Sequence, residues 1–264
     1  MANLPEGYPP LHTTVHGSGP GVLLAHGASG NVRDNFAPLI PALAERHTVV
    51  APDFPGSGAT PRATAPLTVD GLADALVAAA DEVGLETFTL LGYSMGTLVA
   101  VRAAARYPER VRGLVLTAGL AKADNRVLAS MDLWRSLLAA GDLQSFARVV
   151  ALTGFGETFF NSVPEQDLQA LYDGIAAGVP AGTPEQAAVV AESDTTGDLP
   201  GLAVPTLVVA TVHDLLVSPA LSRELAAGIP GAEYAELGSG HVPAAERPEE
   251  WRKLVLDFIG RHGL

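Results

Sequence analysis

Gly92-Tyr93-Ser94-Met95-Gly96 sets a serine between two glycines where a strand pattern gives way to a helix pattern. Before it, Glu86-Thr87-Phe88-Thr89-Leu90-Leu91 is rich in β-branched and apolar residues, as a buried strand should be. After it, Thr97 to Arg106 is alanine-rich, with apolar positions at helical spacing. So sharp a turn needs small neighbours, because a Cβ at position 92 or 96 would collide where strand and helix pack. The serine itself is expected in a strained conformation, its hydroxyl lifted above the sheet at the positive end of the helix. The five-residue pattern alone also occurs in ordinary loops. Its strand-to-helix setting makes Ser94 a candidate nucleophile, and an acid, a base and an oxyanion site should then follow from the rest of the chain.

Near the C-terminus, Ala232 to Leu237 reads as a short strand and runs into Gly238-Ser239-Gly240-His241. That loop leaves an imidazole just past a strand end, so His241 is the expected base. Of the seven histidines, His12, His16, His47 and His262 read as surface residues. The run Pro205 to Thr211 is apolar and β-branched and reads as a central strand, with Asp214 just beyond it. A carboxylate there can accept the imidazole N–H, fix its tautomer and stabilise the imidazolium. Asp124, after the strand Val111 to Thr117, is the rival acid. For the oxyanion, the amide of Met95 is one expected donor. The loop His26-Gly27-Ala28-Ser29-Gly30, after the strand Gly21 to Ala25, offers Ala28 as the second, with Ser29 in reserve. His26 is expected to brace this loop.

These motifs, with Asp53-Phe54-Pro55-Gly56-Ser57-Gly58 after another strand, resemble those of the α/β-hydrolase superfamily over nearly the whole chain. The resemblance is to single-domain serine-nucleophile members: esterases, enol-lactone hydrolases and cofactor-free haloperoxidase-like esterases. It implies an α/β fold, a mostly parallel sheet with helices on both faces. It also implies a helical cap inserted over the active site. The segment 122–199 breaks the strand–helix rhythm and carries no convincing strand, which divides the chain into a core of 1–121 and 200–264 and a cap of 122–199. Aromatic residues concentrate there, and Phe155, Phe159 and Phe160 are expected pocket walls, with Ser29, Tyr93 and Val242 also placed at the substrate. Arg126, Arg135 and Arg148 are candidates to pair with a substrate carboxylate, against a plainer reading as solvated helix residues.

The remaining pattern is alternating. A strand at Thr13 to His16, a helix over Phe36 to Glu45 that Pro41 falls within or divides, a strand at Thr48 to Ala51 and a helix over Leu72 to Val83 precede the Gly-x-Ser-x-Gly turn. Glu249 to Gly260 closes the chain as an amphipathic helix.

Composition bounds the function. Net charge is −13, from 16 basic and 29 acidic residues, with no basic cluster, which argues against nucleic acid and anionic membranes as partners. No cysteine is present, which excludes disulfides and thiolate chemistry. With no export-signal pattern and no membrane-length apolar run, a cytoplasmic protein is expected. Neither metal nor cofactor is expected, the partner is a small molecule, and the oligomeric state is open.

The expected activity is hydrolysis of a carboxylic ester, lactone or thioester of a small to medium substrate through Ser94, Asp214 and His241 and an acyl-enzyme. Serine at position 94 disfavours the dehalogenase and epoxide hydrolase chemistries of this superfamily, which place aspartate there. Two alternatives stand beside it. One is a biosynthetic cyclase-type or ligand-binding protein on the same scaffold. The other is a carbon–carbon bond hydrolase, disfavoured by Val242 after the histidine, where those enzymes usually carry tryptophan.

Overall fold

A computed structural model of the protein describes residues 4–264. Its strands are β1 (Thr13–His16), β2 (Gly21–Ala25), β3 (Thr48–Pro52), β4 (Phe88–Tyr93), β5 (Val111–Thr117), β6 (Thr206–Thr211) and β7 (Glu233–Leu237). They form one seven-stranded sheet in the order β1-β3-β2-β4-β5-β6-β7. β1 runs antiparallel to β3, and every other pairing is parallel. Each residue of β4 and β6 is buried, as strands covered on both faces must be. Edge strand β7 instead shows exposed residues at every second position, Tyr234 and Glu236.

Alternation along the central strands feeds two separate cores. Leu23, Phe88 and Leu90 point into one. Val22, Leu24, Leu91 and Tyr93 point into the other. The first core is closed by α3 (Val69–Glu82) and α4 (Met95–Arg106), with α10 (Pro219–Gly228) beside them. The second is closed by α1 (Val32–Phe36), α2 (Ile40–Ala44) and α12 (Pro248–His262). Trp251 of α12 is buried at 1 % exposure and donates its indole N–H to Thr117 Oγ1 at 3.1 Å, pinning the last helix to β5. Burying one large apolar side chain of this kind contributes about 1.5–3 kcal/mol.

Helix ends follow local chemistry. Thr68 caps α3 by accepting from the Gly71 amide, and Ser218 with Pro219 starts α10. Of the helix expected over Phe36 to Glu45, the structure forms Ile40–Ala44 as α2, and the separate α1 precedes it. α1 ends at Phe36, and Pro41 takes an opening position of α2, where its missing N–H is not needed. His47, expected at the surface, is 9 % exposed and lies within hydrogen-bond reach of the Leu43 and Leu264 carbonyls, because the C-terminus folds back over it.

Between β5 and β6 lie α5 (Asn125–Ala139), α6 (Leu143–Gly154), α7 (Glu157–Ser162), α8 (Leu168–Gly178) and α9 (Thr183–Glu192). The neck of this insertion is fastened where it leaves and returns: Lys122 and Asp194 form an isolated antiparallel bridge, and Thr195 donates to the Ala121 carbonyl at 2.9 Å. Val127, Met131 and Trp134, at i, i+4 and i+7 of α5, sink into the same core as α4. α11 (Pro243–Glu246) follows β7.

Candidate active site

Ser94 stands between β4 and α4 with φ 53° and ψ −121°, a left-handed region that a side chain enters only under constraint. Two glycines permit it. A Cβ on Gly92 would stand 2.6 Å from the Gly96 carbonyl oxygen, and one on Gly96 would overlap the Ala25 carbonyl. The Ser94 amide donates to Thr117 O at 3.0 Å, which anchors the turn to β5.

The structure brings three side chains from distant segments to one place. His241 Nε2 lies 2.9 Å from Ser94 Oγ, and His241 Nδ1 lies 2.6 Å from Asp214 Oδ2. All three are buried, with Asp214 at 4 %, His241 at 6 % and Ser94 at 8 % exposure. Asp214 also accepts from Thr211 Oγ1 at 3.0 Å and, through its other oxygen, from the Leu216 and Val217 amides at 2.8 Å each. A carboxylate filled this way needs no extra proton, so the imidazole donates from Nδ1 and offers Nε2 to the serine hydroxyl. Tyr93 donates its hydroxyl to the His241 carbonyl at 2.7 Å. Burial, and after it the Asp214 and Glu246 carboxylates, hold the Tyr93 phenol well above its usual range, so it remains a donor.

Asp124 lies elsewhere and does other work. It caps α5, accepting from the Arg126 and Val127 amides. His26 is fully buried between the Gly27 carbonyl, 2.7 Å from Nδ1, and the Phe54 amide, which donates to Nε2 at 2.8 Å. Burial pushes its imidazole below the ordinary range, against the opposing pull of Gly27 and Asp53. Asp53 accepts from the Val32 amide at 2.8 Å.

The amides of Ala28 and Met95 have no acceptor among the described residues. On either side of Ala28 the amides are engaged: Gly27 N donates to Asn35 Oδ1 at 2.8 Å, and Ser29 N to Gln186 Oε1 at 3.0 Å. That bond removes Ser29 as a reserve oxyanion donor, although Ser29 lines the cavity.

A cavity of about 130 Å³ opens onto Ser94 and His241. Ser29, Tyr93 and Val242 line it as expected, and its apolar wall includes Val127, Met131, Trp134, Val190, Leu216 and Val217. Phe155, Phe159 and Phe160 do not line it. Gly154 accepts from the His241 amide and Gly156 donates to the Glu246 carboxylate, and the phenylalanines lie outside the cavity. Phe155 and Phe159 pack on each other with ring centres 5.0 Å apart, and Phe159 borders a separate depression beside His213. Arg126, Arg135 and Arg148 are exposed and absent from the cavity, and Arg148 stacks on Tyr172.

The α5 wall is readable as the i, i+4, i+7 stripe of Val127, Met131 and Trp134. Gln186 also had a signal, since Thr183, Gln186, Ala187 and Val190 share one buried face of α9 and two of them are polar. Glu246 had none: nothing around it in the sequence marks it as buried.

The family model for the alpha/beta hydrolase fold matches residues 20–248. The chain belongs to this family. It is 33 % identical over 247 residues to a pyrrolizixenacetamide deacetylase of Xenorhabdus hominickii, covering 93 % of this chain and 92 % of the relative. It is 30 % identical over 267 residues to a pimeloyl-[acyl-carrier protein] methyl ester esterase of Stenotrophomonas maltophilia, covering 94 % and 96 %. Among solved structures, the enol-lactonase of Burkholderia xenovorans superposes with a TM-score of 0.83 at 26 % identity, covering 95 % of this chain and 96 % of that one. Membership of the alpha/beta hydrolase family, with relatives named as hydrolases, supports hydrolase activity.

Proposed function

We propose that this protein is a serine hydrolase that cleaves a carboxylic ester, lactone or thioester carrying a small, neutral acyl group. The observation that carries the reading is the continuous relay Ser94–His241–Asp214, with both links at hydrogen-bond length, at the floor of an apolar cavity.

His241 takes the Ser94 proton through Nε2, and the oxygen attacks the substrate carbonyl carbon. The amides of Ala28 and Met95 receive the developing oxyanion, with the positive end of α4 behind Met95. Asp214 stabilises the imidazolium, which then gives its proton to the leaving oxygen or sulfur. Water, activated by the same imidazole, attacks the acyl-enzyme and returns Ser94 to its starting state.

The cavity supports the substrate class. No Arg, Lys, Asp or Glu lines it, so an acid group on the acyl chain would find no counter-ion. At about 130 Å³ it is comparable with engineered apolar cavities of ~150 Å³ that take benzene. In this reading the insertion 122–199 acts as a cap that shields the acyl-enzyme from bulk water.

Likeness to the Xenorhabdus deacetylase favours a second reading, removal of a small acyl group from an amide nitrogen. A panel of p-nitrophenyl acetate, butyrate and octanoate beside p-nitroacetanilide separates the two. Ester turnover that falls on the order of 10³-fold or more in Ser94→Ala supports the first reading. Anilide turnover matching the acetate ester supports the second. Turnover surviving in Ser94→Ala contradicts both.

A further inference from the structure

We propose that the helical insertion is a working part of the catalytic machinery, with Gln186 and Glu246 as positioning residues for its two halves. Gln186 sets the oxyanion loop, and Glu246 locks the loop of the base against the insertion. The inference rests on the serine hydrolase reading above.

Gln186 projects from α9 and is completely buried. Its Oε1 accepts from the Ser29 amide at 3.0 Å, while its Nε2 donates to Ser57 Oγ at 2.8 Å and the Pro55 carbonyl at 3.3 Å. The amide is thereby oriented from both ends, its oxygen toward the oxyanion loop and its nitrogen toward the turn after β3. Ser29 sits at φ 58°, a left-handed conformation that strains a residue with a side chain, and the bond from Gln186 holds it there. With Gly27 N held by Asn35 and Ser29 N held by Gln186, the Ala28 amide between them is left free. Two engaged donors flank one open donor, which fixes the direction of the open one.

Glu246 does the corresponding work on the base. The residue is 9 % exposed, and its carboxylate accepts from the Gly240 amide at 2.9 Å and the Gly156 amide at 3.2 Å. Gly240 directly precedes His241, and Gly156 lies at the α6–α7 junction of the insertion. The His241 amide donates in turn to the Gly154 carbonyl at 2.6 Å. The two backbones pass so closely that a Cβ on Gly156 would stand 3.0 Å from the Gly240 nitrogen, and one on Gly240 would overlap the Gly156 nitrogen. The imidazole therefore owes its position to the insertion as well as to Asp214 and Tyr93. Displacing a reacting group by about 1 Å can cost on the order of 10²-fold in rate, so small movements at either point should register in turnover.

A purely structural role for the two residues makes a different forecast: lower melting temperature with unchanged turnover by the folded protein. The test uses the full chain with Gln186→Leu, Gln186→Glu, Glu246→Ala and Glu246→Gln, each assayed well below its own melting temperature. The readouts are kcat and KM on p-nitrophenyl acetate, the fluorophosphonate inactivation rate, and inhibition by a trifluoromethyl ketone whose adduct carries an oxyanion. For Gln186→Leu, kcat and ketone affinity should each fall about 10- to 100-fold with KM within about threefold. For Glu246→Ala, kcat and inactivation rate should fall together by a similar factor. Gln186→Glu and Glu246→Gln, which keep an acceptor oxygen in place, should recover part of the loss, and they decide the matter should the truncations not fold. Wild-type kcat, inactivation rate and ketone affinity in the folded variants would overturn the proposal. A wild-type protein that neither labels nor turns over esters would instead overturn the hydrolase reading on which it rests.

Discussion

Asp214 and Asp124 each follow a sheet strand by a few residues, and their surroundings separate them. Asp214 is buried and holds His241 Nδ1, while Asp124 closes the first turn of α5. Asp214→Asn turns a donor toward the imidazole and favours the wrong tautomer, so kcat should fall by about 10⁴-fold. Asp124→Asn keeps a good cap and should leave kcat unchanged and stability within about 0.5 kcal/mol. Steady-state kinetics and urea unfolding on both variants check this, and the reverse ranking would contradict it. His26 carries a pH dependence of its own. Burial holds its folded-state pKa below the ordinary histidine value of about 6.5, so the unfolded chain binds the proton more tightly. Its contribution to stability is whole above about pH 6.5 and is lost as pH falls toward the folded-state value, because protonation ejects the Phe54 amide from Nε2. Urea unfolding at pH 7.5 and 5.5 should show a larger loss for wild type than for His26→Asn. Equal losses would assign the effect elsewhere.

At the scale of elements, the turn at Ser94 is set by space. Gly96→Ala would drive a methyl into the Ala25 carbonyl, a backbone atom that has no rotamer to escape into. The expected destabilisation is about 3 kcal/mol or more, read as a drop in thermal midpoint, and an unchanged midpoint would show that β2 and α4 can part. This turn was legible because two periodicities meet at it, strand before and helix after, with glycines where a Cβ cannot fit. The same logic placed β6 and the histidine loop. It failed where the deciding force is not local. The short α7 buries no residue and so has no apolar stripe to show. Phe155, Phe159 and Phe160 sit where Gly154 accepts from the His241 amide and Gly156 donates to the Glu246 carboxylate, bonds between distant segments that no local pattern reports. Pro41 was visible, and it opens α2, while Phe36 at the end of α1 stacks on Trp251, a contact between segments far apart in the chain.

For the molecule as a whole, the sheet brings the loop after β2, Ser94, Asp214 and His241 to the C-terminal ends of parallel strands, and residues of α5, α6 and α9 line the cavity beside them. Among the described residues no helix is long and apolar enough to cross a membrane. In the proposed reading, the net charge of −13 and a cavity lined by no Arg or Lys act together against anionic substrates. An acyl carboxylate would be buried unpaired at about 3 kcal/mol or more, so kcat/KM for mono-p-nitrophenyl succinate should lie at least about 100-fold below that for p-nitrophenyl butyrate. Comparable values would show a counter-ion that the cavity lining does not contain. The central claim, that Ser94 is a nucleophile activated by His241, is tested most directly by fluorophosphonate labelling of the folded protein with the adduct mapped by mass spectrometry. A single adduct on Ser94, formed on the order of 10³-fold more slowly in His241→Gln, is the expected result. A folded protein left unlabelled, or labelled at another residue, would contradict it.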